Sequence, residues 1–162
     1  MIIVSDTSPI SNLILIGHLN LLPQLYERII IPEVVYRELQ ALKNFGKDLS
    51  ELYPAQWVEV RNFKNQSLYQ KLLLQLDPGE AGAIALAMEV NASALLIDEK
   101  RGRKIAIESG IHTIGLLGVL VEAKKKGLIA GLKPMIDDLL FKANFWASPK
   151  LIEKILIDAN EL

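Results

Sequence analysis

The sequence predicts an α/β fold, a parallel sheet covered by helices. Short apolar segments that read as strands alternate with longer segments of helical character, which is the pattern of βαβ units. The first strand, Ile2 to Ser5, runs directly into Asp6 and a helix start at Thr7-Ser8-Pro9. That places a carboxylate at the carboxyl end of the sheet, the edge where open α/β sheets bind ligands. The 162 residues hold no internal repeat, low-complexity tract or linker, which fits one domain over residues 1–162.

The elements follow in order. Ser8 reads as the N-cap of the first helix, with Pro9 at its first position and its end near Ile16. A short helix is expected near Leu19–Tyr26. Arg28–Ile31 is a strand stopped by Pro32, and that proline opens a helix to about Phe45. Residues 46–54 form a polar connection, Trp57–Val60 alternates as a strand, and Ser67–Leu76 is helical. Asp77-Pro78-Gly79-Glu80 opens a helix to Val90 that is apolar nearly all round, as a buried helix would be. Ala94–Ile97 is a strand, Glu99–Ser109 a helix and Ile111–Ile114 the last strand. Helices follow over Gly115–Lys126 with Gly127 closing it, over Pro134–Lys142, and over Pro149–Ala159 behind a Ser148 cap.

Composition narrows the chemistry. The chain has no cysteine and only His18 and His112, which removes disulfides, thiolate nucleophiles and zinc sites built on cysteine or histidine clusters. A net charge of −1 gives no global basic field, so binding to nucleic acid would need a local patch. No secretory leader or run of membrane-spanning length is read, and the expected location is the cytoplasm.

The carboxylates carry the remaining information. Asp6 is either a turn residue or a site residue, and with Ser8 capping the helix it has no other structural job. Glu38 lies on the apolar stripe of its helix with Val34 and Ala41, although a boundary glutamate can also reach solvent. Glu80 fits a capping pattern with Asp77, yet its own stripe of Ala83, Ile84 and Ala87 turns it inward; cap and ligand are compatible. Asp98 repeats Asp6, an acid delivered by an apolar strand, and is alternatively the N-cap of the next helix. Glu99 beside it favours the helix dipole or adds charge to the site. Clustered carboxylates stay ionised together only beside a compensating cation, and oxygen-only donors suit Mg²⁺ or Mn²⁺. Among the basic residues after Asp98, Arg103 and then Arg101 are candidates for holding substrate phosphate, whereas Lys100 and Lys104 read as a solvated face.

Four segments in order resemble the PIN-domain nucleases. They are Asp-Thr-Ser-Pro at Asp6, Ile-Pro-Glu-Val-Val-Tyr-Arg-Glu ending at Glu38, Pro-Gly-Glu-Ala-Gly-Ala-Ile-Ala-Leu-Ala around Glu80, and Leu-Leu-Ile-Asp-Glu-Lys-Arg-Gly-Arg around Asp98. The resemblance covers nearly the whole chain, thins after about Gly131, and is nearest to a branch similar to VapC-type toxins of toxin–antitoxin pairs. It implies a three-layer α/β/α fold with a central parallel sheet. It also implies a metal-binding catalytic set of Asp6, Glu38, Glu80 and Asp98, with Thr7 or Ser8 as a supporting hydroxyl. The implied activity is Mg²⁺- or Mn²⁺-dependent cleavage of single-stranded RNA, controlled by a separately encoded antitoxin. A catalytically inactive PIN-like module that binds RNA or protein is the alternative. Two positions depart from the pattern: many PIN nucleases have aspartate where Glu80 stands, and Leu116 occupies a turn where this branch is expected to carry a small hydroxyl. Homodimers are common among such toxins, and exposed apolar residues near Leu13–Leu22 are expected to support one.

Overall fold

The computed structural model describes residues 1–42 and 56–162. The polar connection read over 46–54 and the far end of the helix after Pro32 lie outside the described residues. The elements are β1 (Ile3–Ser5), α1 (Thr7–Leu15), α2 (Leu21–Tyr26), β2 (Ile29–Ile31), α3 (Glu33–Leu42), β3 (Val58–Val60), α4 (Gln66–Leu72) and α5 (Pro78–Glu89). They continue with β4 (Ala94–Leu96), α6 (Lys100–Glu108), β5 (Thr113–Ile114), α7 (Leu116–Lys125), α8 (Leu132–Lys142) and α9 (Pro149–Asp158).

Among the described residues the strands form one five-stranded parallel sheet in the order β3-β2-β1-β4-β5. Successive side chains on each strand enter opposite layers. Ile3, Ile29, Ile31, Ala94 and Leu96 face a core built with α1, α2, α7 and α8. Val4, Ile30, Leu95 and Ile97 face a second core filled mainly by the alanine-rich α5. Strands buried on both faces account for the continuous apolar runs, and the result is the three-layer α/β/α fold with a central parallel sheet. The chain leaves β1 toward β2 and later returns on the other side of β1 to place β4. The order therefore reverses between β1 and β4, the switch point at which such sheets bind ligands.

Most expected elements stand, with ends moved by one to four residues. Two expectations change. α1 starts at Thr7, so Asp6 rather than Ser8 holds the N-cap position and Pro9 is its third residue. Proline is tolerated there because the N–H groups of a first turn have no intrahelical partner. The Leu13–Leu22 segment is not an exposed apolar surface. Leu13, Leu19, Leu21 and Leu22 are fully or nearly fully buried in the protein's own core, because α1 and α2 cover the sheet. Ile14 and Leu15 are the segment's only partly exposed apolar residues. Among the described residues, no helix is long and apolar enough to cross a membrane.

Candidate active site

The carboxyl ends of β1 and β4 lie side by side, with Ser5 paired to Leu96 and the Asp6 N–H donating to the Leu96 carbonyl at 2.9 Å. A cleft of about 1350 Å³ opens there, lined by Asp6, Glu38, Glu80 and Asp98 together. Asp6 is 5% exposed and Glu80 6%. The four acids taken from the sequence thus share one cavity, although the chain separates them by up to 92 residues (98 − 6).

Each carboxylate has its own local reason for being there. Asp6 has the extended backbone of an N-cap without the usual side-chain capping bond, its carboxylate interacts with the Thr7 N–H, and it lines the cleft. Glu38 accepts a hydrogen bond from the Thr7 hydroxyl. Its position depends on glycines in α5. A Cβ on Gly79 would collide with the Glu38 carboxylate, and one on Gly82 would press on Val34. The missing side chains let α3 approach α5 and bring Glu38 toward Glu80. Glu80 completes a capping box with Asp77: its N–H donates to Asp77 at 2.9 Å, and its carboxylate accepts from the Asp77 N–H at 3.1 Å. The cap reading of Glu80 is therefore realised, with the same side chain lining the cleft.

Asp98 is not a cap. Glu99 caps α6 instead, accepting from the Gly102 N–H at 2.8 Å. Asp98 Oδ1 accepts from the backbone N–H of Leu116 at 2.7 Å, while its Oδ2 is buried with no hydrogen-bond partner among the described residues. Leu116 itself is fully buried. Its backbone, rather than a hydroxyl, meets the acid, and its side chain belongs to the core.

Burial dominates the electrostatics. Removal from water pushes the Asp6 carboxyl up to about 8, with Asp77, Glu80 and Glu38 adding repulsion against the Thr7 N–H. Burial likewise raises Glu80 to about 7, helped by the charges of Asp77 and Glu99. Asp98 is raised by burial, opposed by the Leu116 N–H and the charge of Arg103. Glu99 stays below the usual carboxylate range: burial works against its charge, but the N–H groups of Gly102 and Arg101 outweigh it. Uncompensated buried carboxyls take up protons, and an adjacent cation reverses that.

The remaining candidates divide. Thr7 and Ser8 line the cleft, and Glu99 sits on its rim. Arg103 lines it too, its Nη1 only 2.6 Å from where a Gly115 Cβ would stand, so a side chain in that turn would push the guanidinium aside. Arg101 is turned away, donating to the Gln75 carbonyl at 3.4 Å outside the cleft lining, whereas Lys100, read as solvated, faces the cleft. One residue of helical phase, about 100°, separates the two. Asp77 also lines the cleft and charges Asp6, a role hidden behind its evident function as a cap. Among the described residues, no group of three acids or histidines is already closed around a point where an ion could sit.

The family model for DUF3368, described as a PIN domain, matches residues 2–161. Among solved structures, a PilT N-terminus domain protein from the hyperthermophilic archaeon Sulfolobus solfataricus P2 is similar at 22% identity and a TM-score of 0.58, covering 76% of this chain and 93% of that one. At that identity the likeness speaks for the fold alone. No curated protein matches the chain. PIN domains are generally nucleases that use divalent metal ions. With the family match running over nearly its whole length, the chain belongs to the PIN-domain family.

Proposed function

We propose that this protein is a metal-dependent ribonuclease that hydrolyses phosphodiester bonds of single-stranded RNA, and that it is the toxin of a toxin–antitoxin pair. The observation that carries the nuclease reading is the convergence of Asp6, Glu38, Glu80 and Asp98 on one cleft at the switch point of the sheet. The donor set fits a hard divalent ion. It is all oxygen, and among the described residues Asp98 Oδ2 is buried without a partner and the buried acids Asp6 and Glu80 have no counter-charge. Asp6, Glu38 and Asp98 would hold Mg²⁺ or Mn²⁺, with Glu80 in the same cluster. When bound, such an ion supplies Lewis-acid polarisation of the phosphodiester and a water of lowered pKa.

The chain's own residues supply position and charge. The Thr7 hydroxyl holds the Glu38 carboxylate, and the Leu116 N–H holds one oxygen of Asp98, the other having no partner among the described residues. Arg103 supports the charge of Asp98 with a guanidinium that has further donors for a phosphate oxygen. Lys100 adds a second cation on the same wall.

The test is cleavage of an unstructured RNA by the purified chain with Mn²⁺, with EDTA, and by Asp6→Asn. Cutting in Mn²⁺ alone is expected, and Asp6→Asn should lower it by at least the roughly 10- to 100-fold known for partners one step further from a metal. An Asp6→Asn protein that cuts as fast as wild type in Mn²⁺ overturns the site assignment. The inactive-module reading draws on the absence, among the described residues, of a closed ligand group; RNA binding with neither Mn²⁺ binding nor cutting would favour it. The toxin role is tested separately: induced expression should arrest growth, and Asp6→Asn should relieve the arrest.

A further inference from the structure

The geometry points to Trp146 as a stacking platform for a nucleobase of the single strand that enters the acidic cleft, an inference that rests on the ribonuclease reading. Trp146 is 78% exposed, yet it lines the same cavity as Asp6 and Asp98. It stands in the short connection between α8 and α9, and that connection is pinned on both sides. Asn144 turns the chain out of α8 at φ +50°, and the Phe145 N–H donates to the Leu139 carbonyl at 3.1 Å. Ser148 caps α9, accepting from the Leu151 N–H at 3.1 Å. Phe145 and Ala147 pack against the core, so the residue between them is held outward by its neighbours. An aromatic ring presented by a fixed backbone loses little conformational freedom when something stacks on it.

The occupant follows from the rest of the cleft. Its volume of about 1350 Å³ exceeds the roughly 300–1000 Å³ of small-molecule sites, as a groove for a chain would. Lys100, Arg103 and Lys126 are among its lining, at hand for a phosphate backbone, while its carboxylates offer no flat apolar face on which a base could stack. Single-stranded nucleic acids are gripped by this pairing of cations for the backbone with an exposed aromatic ring for the bases. The indole supplies the ring, and among the described residues little covers its large apolar face.

The experiment measures binding of a labelled short oligoadenylate, and of an abasic phosphodiester of the same length, to the full chain carrying Asp6→Asn in Mn²⁺. Adding Trp146→Ala should weaken oligoadenylate binding by about fivefold or more, leave abasic binding within about twofold, and be largely rescued by Trp146→Phe. In the active protein, Trp146→Ala should raise KM with kcat nearly unchanged. Equal loss on both oligomers, no loss on either, or no oligonucleotide binding at all overturns the platform. So does a dimer that Trp146→Ala converts to a monomer, which would assign the ring to a second copy. Base-dependent binding without cleavage by wild type keeps the platform and sinks the nuclease reading; cleavage with binding indifferent to Trp146 does the reverse.

Discussion

Gly79 contributes to the site by lacking a side chain, because the space of its Cβ is filled by the Glu38 carboxylate. Inside a helix, Gly→Ala ordinarily stabilises by up to about 1 kcal/mol. Here that gain opposes a collision with the movable end of Glu38 rather than with backbone. Gly79→Ala should therefore leave the unfolding midpoint within a few degrees of wild type while displacing Glu38. Mn²⁺ affinity by calorimetry should fall about tenfold, the loss typical of disturbed metal-site support. Unchanged Mn²⁺ binding would remove Glu38 from the ligand set. Chemical character at this scale was legible in the sequence: Asp6, Glu38, Glu80 and Asp98 are set apart by the apolar company they keep. Backbone donors were not legible. A search for a hydroxyl near Leu116 misses the N–H that any residue there would offer to Asp98.

Among the elements, α8 shows how far local reading reaches. Pro134 suggests a helix start at that residue, because proline favours the first position, yet α8 begins at Leu132 behind Gly131, which has no side chain to cap it. The cap comes from the far end of the chain. Glu161 accepts from the Leu132 N–H at 2.8 and 2.9 Å and the Lys133 N–H at 3.1 Å, with Lys124 Nζ at 3.4 Å. By contrast, the Asp77–Glu80 capping box and the Ser148 cap are written within a few residues and can be read directly. The Leu132 and Lys133 N–H groups, and then Lys124, hold the Glu161 carboxyl below its ordinary value of 4.5. A folded pKa below the unfolded one stabilises above about pH 4.5, and that contribution fades as pH falls through the folded value. Glu161→Gln should cost about 0.5–2 kcal/mol at neutral pH. Denaturant melts should show the difference from wild type shrinking below pH 4; a difference that persists in acid would mean packing rather than charge anchors this end.

Across the molecule, sheet topology turns separate sequence signals into one site. Alternating strands and helices establish the layers, but a strand does not name its neighbours, and the reversal between β1 and β4 is a long-range choice. The same choice concentrates charge. Asp6 and Glu80 are buried near Asp77, Glu38 and Glu99, an arrangement that weakens the fold whenever no cation is present. Removing one of these charges should therefore separate stability from function. In EDTA, Asp6→Asn should unfold at a higher temperature than wild type, its stability raised by on the order of 1–3 kcal/mol, because a neutral amide replaces a carboxyl that resists ionisation. Mn²⁺ should then stabilise wild type, reaching about 2.7 kcal/mol at a hundredfold excess over its dissociation constant, and stabilise the variant far less. The two shifts have one source, charge gathered at the switch point, and should move together along a Mn²⁺ titration followed by calorimetry. If Asp6→Asn lowers the midpoint in EDTA, Asp6 is instead a structural residue of the β1–α1 turn, and the metal centre has to be rebuilt around Asp98.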